Sequence, residues 1–218
     1  MNKLEVLNKV VKDIEDAKID GSPLFVGING VDTSGKTTIT KEISEILLAN
    51  NHKVQVISID EFHNPKAIRY QGDNPITSYI EYAFNLEFIL KNILKPRIVN
   101  KTFSLLDLDT DEYSFEKKIR ISEESIVLFE GVLLFRDPIK DYFDLKIFID
   151  ISFNEVLNRA VIRDYHIFGE ETKSRYETKY IPIQKLYIKK WNPKGQSQII
   201  IDNNDYNNPI FIQNKRPE

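Results

Sequence analysis

The chain has 218 residues, 41% of them hydrophobic, with no cysteine and a formal net charge of -3. The length suits one α/β domain with a real core. The missing thiols exclude disulfides, zinc-thiolate sites and thiol catalysis, and the charge excludes bulk affinity for nucleic acid.

The opening stretch, MNKLEVLNKVVKDIEDAKID, holds acidic residues and no continuous apolar run, so neither a signal peptide nor a membrane span is expected, and a cytoplasmic location is the default. Leu4, Leu7, Val10, Val11 and Ile14 recur at helical spacing and predict an amphipathic helix, stopped by Gly21-Ser22-Pro23. Leu24 to Asn29 reads as a buried strand, Lys36 to Asn50 as a helix, and Lys53 to Ile59 as a second strand ending on Asp60. After a polar loop, a helix is expected from Pro75 through Ile93, ended by Pro96. Ile98 to Leu106 reads as a strand or hairpin arm outside the main sheet. Ile126 to Phe129 and Leu145 to Ile149 are two further core strands, ending at Glu130 and Asp150. Phe153 to Tyr165 is expected as helix, then a loop with Gly169, then a long helix from Thr172 to Lys190 despite Pro182. Gln198 to Ile201 is the last expected strand. No repeat or linker divides the chain, so a single domain over 1–218 is expected.

Strands alternating with helices imply an α/β fold: a five-stranded parallel sheet with helices on both faces. Ligands of such sheets bind at the carboxyl ends of the strands. Here those ends read Gly30, Asp60, Glu130, Asp150 and Asp202, four of them acidic.

Gly30-Val31-Asp32-Thr33-Ser34-Gly35-Lys36-Thr37 fits the eight-position phosphate-loop pattern G-x-x-x-x-G-K-T, followed by Thr38. It lies between an expected strand and an expected helix, the context the pattern requires. Its glycines let backbone N–H groups face phosphate oxygens, and the helix N-terminus adds partial positive charge. Lys36 is expected at the β- and γ-phosphates of ATP, and the Thr37 hydroxyl on Mg²⁺. Asp60 could accept a proton from an acceptor hydroxyl or help hold the metal through water. Glu130 ends an apolar strand, where a charge needs a partner, and is read as orienting Mg²⁺ and its waters. Asp150 is read as a helix cap. His63, a loop histidine, could contact the acceptor or simply meet solvent. Arg159 and Arg163 share a helix face and bracket a loop that could close over the nucleotide, with Gly169 as hinge.

These motifs together resemble the uridine kinase-like family of P-loop kinases, related to phosphoribulokinase and bacterial pantothenate kinase. The resemblance is carried by GVDTSGKTT at 30–38, SIDEFH at 58–63, LFEGVLLF at 128–135 and DLKIFIDISFNEVLNRAVIRD at 144–164. It continues through RYETKYIPIQKLYI at 175–188 and IIIDNND at 199–205. It implies a P-loop NTPase fold with a helical lid at about 159–176, and ATP with Mg²⁺ as cofactors. It implies Asp60 as catalytic aspartate, with Lys36, Arg159 and Arg163 completing the catalytic set. Arg175 and Tyr176 fall near the lid's return, Asp202 and Asn203 in the loop beside the adenine, and Arg69 and Tyr79 in the acceptor pocket, with Asp60, His63 and Arg163. Three departures fall on the acceptor side: Asp60-Glu61 where many relatives carry two aspartates, Ser78-Tyr79 with Glu81 where paired tyrosines and an aspartate are common, and Phe103 near an expected basic residue.

The expected activity is transfer of the ATP γ-phosphoryl group to a hydroxyl of a small acceptor, with a nucleoside such as uridine first. A nucleoside monophosphate, a phosphorylated sugar, a pantothenate-like alcohol, or a nucleotide-dependent switch without an acceptor stay open. A switch of the GTPase type needs Asn-Lys-x-Asp, which does not occur. Lys66 and Arg69 are the only Lys or Arg residues between 63 and 82, which leans toward an uncharged acceptor. No nucleic-acid or membrane partner is expected, and the oligomeric state, a homodimer included, is left open.

Overall fold

Seven consecutive buried residues, Leu24–Gly30, form the central strand β1. A run without polar alternation is what a strand covered on both faces requires. The structure, a computed structural model, describes residues 1–213. Ahead of β1 lies α1 (Lys3–Ala17), whose first turn is closed by a reciprocal Asn2–Glu5 capping box. After it come α2 (Lys36–Ala49), β2 (Lys53–Ser58) and a 3₁₀ turn, Ile59–Phe62. Three short helices follow, α3 (Lys66–Arg69), α4 (Pro75–Tyr82) and α5 (Leu86–Ile89), the last running into a π-helical turn, Leu90–Leu94. The hairpin β3 (Val99–Asp107) and β4 (Glu112–Ile121) leads to β5 (Ser125–Gly131) and β6 (Leu145–Asp150). The chain then forms α6 (Phe153–Arg163), α7 (Tyr165–Phe168), α8 (Glu171–Arg175), a π-helical turn at Tyr176–Tyr180 and α9 (Ile181–Trp191). It closes with α10 (Pro193–Gln196), β7 (Ile199–Asp202) and β8 (Ile210–Gln213).

The main sheet has six strands in the order β2-β5-β1-β6-β7-β8, not the five expected. The five expected strands are all present and parallel, and β8 is added antiparallel to β7 at the edge. The β3–β4 hairpin forms a separate two-stranded sheet. Alternate residues of β1 and β5 point to opposite faces. Val26, Ile28, Ile126 and Leu128 pack with α1 and α2, while Phe25, Val127 and Phe129 pack with the hairpin and α9. On that second face a Cβ on Gly27 would come within 2.6 Å of the Phe135 ring, so glycine lets the ring lie against the strand.

Several boundaries differ from expectation for local reasons. On α1, Leu4 is exposed and Val6 takes its place in the core. The helix from Pro75 stops at Tyr82, because Phe84 bridges to His63 and the Asn85 side chain caps the next segment. The helix expected from Thr172 is interrupted by the π-helical turn, after which Pro182 sits in the first turn of α9, where its missing N–H costs little. Asp150 is not the cap of α6. Ser152 accepts the capping bond, and Asp150 pairs with Lys194. Among the described residues no helix is long and apolar enough to cross a membrane.

Candidate active site

The loop from Gly30 to Thr37 lies between β1 and α2, at the carboxyl edge of the sheet. Two of its residues, Thr33 (φ 57) and Gly35 (φ 91), adopt left-handed conformations that curl the backbone round. A Cβ on Gly30 would lie 2.7 Å from Ser34 Oγ, and one on Gly35 would lie 2.7 Å from the Asn203 amide, so both glycines are sterically required. Lys36 is buried, and its Nζ donates to the Val31 carbonyl at 2.8 Å. The Ser34 hydroxyl is buried without a partner. Beside the loop is a cavity of about 570 Å³, lined by Thr33, Gly35, Lys36, Thr37, Thr38, Arg159, Arg163 and Tyr206. That is within the usual volume range of small-molecule sites, roughly 300–1,000 Å³.

Carboxylates gather round Lys36. Burial draws its ammonium pKa down, opposed by the charges of Asp32, Glu130 and Asp60. Burial likewise pushes the Asp32 carboxyl up, against the pull of Lys36 and Arg163. Glu130 is buried at the end of β5 and is also raised by burial, against a hydrogen bond from Ser58 and the charge of Lys36. Its Oε1 lies 3.5 Å from the Thr37 hydroxyl. Asp60, in the 3₁₀ turn after β2, is exposed. The fold therefore brings Asp32, Lys36, Thr37, Asp60 and Glu130 into one electrostatic group. Among the described residues no three His, Asp or Glu side chains form a ready-made metal cage. A Mg²⁺ ion does not need one, since it keeps several waters and takes phosphate oxygens besides one or two protein ligands. The facing Thr37 hydroxyl and Glu130 carboxylate fit that requirement.

The basic residues divide. Arg159 is tied down: it donates to Glu155 at 2.7 Å, to the Asn203 carbonyl at 2.6 Å and to the Asn204 carbonyl at 3.1 Å, with a longer contact to the Thr33 carbonyl. It braces the loop and lines the cavity. Arg163 grips Asp164 through Nε and Nη2 at 2.6 and 2.9 Å, and Nη2 also reaches Tyr176 Oη at 3.0 Å. Tyr176 in turn donates to Asp164 at 2.6 Å. Burial opposes ionisation of Asp164, but these hydrogen bonds outweigh it and leave the carboxyl below its ordinary value. Gly169 has φ 56, a backbone state that favours glycine, while Arg175 pairs with Glu171 on the surface. Asn203 lies beneath the phosphate loop, donating to the Ser34 carbonyl at 2.7 Å, and Asp202 turns the loop that follows by accepting from Asn204.

On the acceptor side His63 is half-buried, 4.6 Å from the Phe84 ring, with Nδ1 2.7 Å from the Asp60 carbonyl. A carbonyl only accepts, so Nδ1 carries the proton and Nε2 is left as an acceptor. Burial lowers its pKa below 6.5. Burial pushes the Tyr79 phenol on α4 up, helped by the charges of Asp32 and Asp60 and opposed by Arg69. Glu61 does not face the site; it pairs with Lys117 of β4 at 2.6 Å.

Sequence reasoning missed two contributors. Gln184 on α9 accepts from the Asp32 N–H at 3.0 Å and donates to the Asp32 carboxylate, so a helix 152 positions away clamps the loop. Tyr206 offers an aromatic wall to the cavity from the loop after β7.

The model of the family described as "Phosphoribulokinase / Uridine kinase family" matches residues 25–190. The chain belongs to this family. It is 26% identical over 205 residues to a uridine kinase of Ligilactobacillus salivarius, covering 85% of this chain and 92% of the relative. It is 27% identical over 208 residues to uridine-cytidine kinase 2-B of Danio rerio, covering 83% and 77%. A solved structure from Bacillus stearothermophilus, described as a possible uridine kinase, superposes with a TM-score of 0.73 at 20% identity, covering 90% of this chain and 97% of that one. The mostly parallel α/β architecture is thus that of the P-loop kinases, with one strand more than expected.

Proposed function

We propose that this family member transfers the γ-phosphoryl group of ATP to a hydroxyl of a small acceptor, and that residues 1–218 act as one kinase domain. The observation that carries this reading is the cluster round Lys36, on which the charges of Asp32, Asp60, Glu130 and Arg163 all act at the mouth of the phosphate loop. A passive nucleotide binder needs the loop and the lysine. It does not need a solvent-facing carboxylate beside them.

Gly30, Asp32, Thr33, Ser34, Gly35, Lys36, Thr37 and Thr38 receive the phosphates, and the orphaned Ser34 hydroxyl supplies a donor with no other use. Lys36 exchanges its bond to the Val31 carbonyl for phosphate oxygens. Thr37, Glu130 and, through water, Asp60 would hold Mg²⁺, which when bound neutralises charge on the β- and γ-phosphates. Asp60 takes the proton of the acceptor hydroxyl as its oxygen bonds to the γ-phosphorus and the bond to the ADP oxygen breaks. Arg163 and Lys36 offset the charge spread over the moving group. Arg159 and Asn203 hold the loop, and Asp202 and Asn203 flank the nucleotide. The segment 159–176 acts as lid about Gly169. His63, Arg69 and Tyr79 border the acceptor.

The relatives named uridine kinase make a nucleoside of the uridine type the first acceptor to test, in a protein of the cytoplasm. ADP release is to be followed over nucleosides, sugar phosphates and pantothenate. Turnover with one acceptor class supports the reading; tight ATP binding with no acceptor-dependent turnover counts against it.

A further inference from the structure

The first helix and the loop after β7 both lie outside residues 25–190, the span that the family model matches. The structure brings them together beside the nucleotide cavity. Tyr206, between β7 and β8, lines that cavity and is the one aromatic side chain among the described residues that do. Lys3, in the first turn of α1, holds its ammonium 4.1 Å from the centre of the Tyr206 ring. That is well within the ~6 Å reach of a cation–π contact. The same ammonium donates to Glu42 of α2 at 2.7 Å, and both side chains are partly buried. Lys3 does not line the cavity; it borders a groove between α1 and α2 instead. The ring therefore stands between the ammonium and the cavity. Glu42, Lys3 and Tyr206 form one brace drawn from α2, α1 and the loop after β7.

The loop that carries the ring is itself tied to the phosphate loop. Asn203 donates to the Ser34 carbonyl at 2.7 Å, and the Asn203 and Asn204 carbonyls accept from Arg159. Just past the ring, Asp205 accepts from the Asn207 and Asn208 N–H groups and turns the chain. Tyr206 is three positions beyond Asn203, a span of at most about 11 Å. A nucleotide whose phosphates enter Gly30–Thr37 carries its ribose and base outward from the loop in the same way. Tyr206 is nonetheless 42% exposed. A ring that is already immobilised, yet open toward a cavity, loses little freedom when a flat group settles on it.

We propose that Tyr206 stacks on the base of the bound nucleoside triphosphate, and that Lys3, held by Glu42, is the positioning residue that sets the ring. This rests on the reading of Gly30–Thr37 as the phosphate site. It adds what that loop does not supply, a hold on the base. Stacking of one base on an aromatic side chain changes affinity by about tenfold. Helix α1 then serves the nucleotide site as well as the core.

The test compares binding of Mg²⁺-ATP with that of Mg²⁺-ribose 5-triphosphate, which lacks only the base, by isothermal titration. Wild type should bind ATP about tenfold more tightly than ribose 5-triphosphate. Tyr206→Ala should weaken ATP by about tenfold and leave ribose 5-triphosphate unchanged, while Tyr206→Phe should bind both as wild type does. Lys3→Ala should weaken ATP alone, by about threefold, and Lys3→Arg should restore it. A purely structural role for either residue would weaken both ligands alike. Equal binding of the two ligands by wild type, or a Tyr206→Ala protein that weakens both alike or neither, overturns the stack and leaves the phosphate site standing. Failure of wild type to bind either ligand overturns the phosphate-site reading as well.

Discussion

The two sides of the cleft are built in opposite ways. On the donor side the parts are finished. Asn203 and Gln184 fix the phosphate loop by hydrogen bonds, and Arg159 is shared among three carbonyls and Glu155. On the acceptor side the parts are left open: Arg69 keeps an unpaired donor, and Lys179 rests on aromatic rings rather than a carboxylate. A site that treats every ATP alike gains from being preorganised, because its dipoles need not move during reaction. A site that selects one acceptor keeps buried donors unpaired until the right partner arrives, since leaving them unpaired is what rejects the wrong one.

Substitutions can break that contrast. The largest effect is expected from Lys36→Ala, which removes the one cation inside the loop. ATP affinity should fall, and turnover should drop by about 10³-fold, the upper scale for losing a preorganised charge-stabilising group. Isothermal titration and steady-state rates measure the two parts. Asp60→Asn should lower kcat by about 10²-fold or more with ATP affinity nearly intact, as for loss of a positioned base. Unchanged turnover would remove Asp60 from its role. Asn203→Ala should leave the Ser34 carbonyl short of its partner, costing about 1–3 kcal/mol in unfolding free energy, with a higher KM for ATP and an unaltered KM for the acceptor. Asp164→Asn, at the lid base, should act mainly through pH. In wild type the Asp164 carboxylate sits below its ordinary value of 3.8. Its stabilisation is therefore present above 3.8 and lost as pH falls through the lower folded value. The variant should lack that acid-side loss in thermal melts, and a parallel acid decline in both proteins would contradict the assignment.

The same contrast explains what the sequence disclosed. The phosphate loop is eight consecutive residues between a strand and a helix, so its chemistry is written locally, and the apolar runs of β1, β5 and β6 announce strands covered on both faces. Strand β4 was missed because only Ile119 and Ile121 of its ten residues are buried, which leaves no periodic apolar signal. β8 is a four-residue edge strand with little burial. Gln184 could not be assigned from sequence because its significance comes from α9 folding against the phosphate loop 152 positions away. His63 changes meaning for a similar reason: read alone it is a loop histidine, but packed on Phe84 and bonded to the Asp60 backbone it is held with Nε2 free.

The account rests on phosphoryl transfer to an alcohol, and ³¹P NMR of the wild-type protein with ATP, Mg²⁺ and a mixture of neutral and anionic alcohols reads that transfer directly. ADP and a new phosphate-ester resonance, rising together and absent in Asp60→Asn, are the result expected. ADP accompanied only by inorganic phosphate, at a rate indifferent to the alcohols, would contradict it.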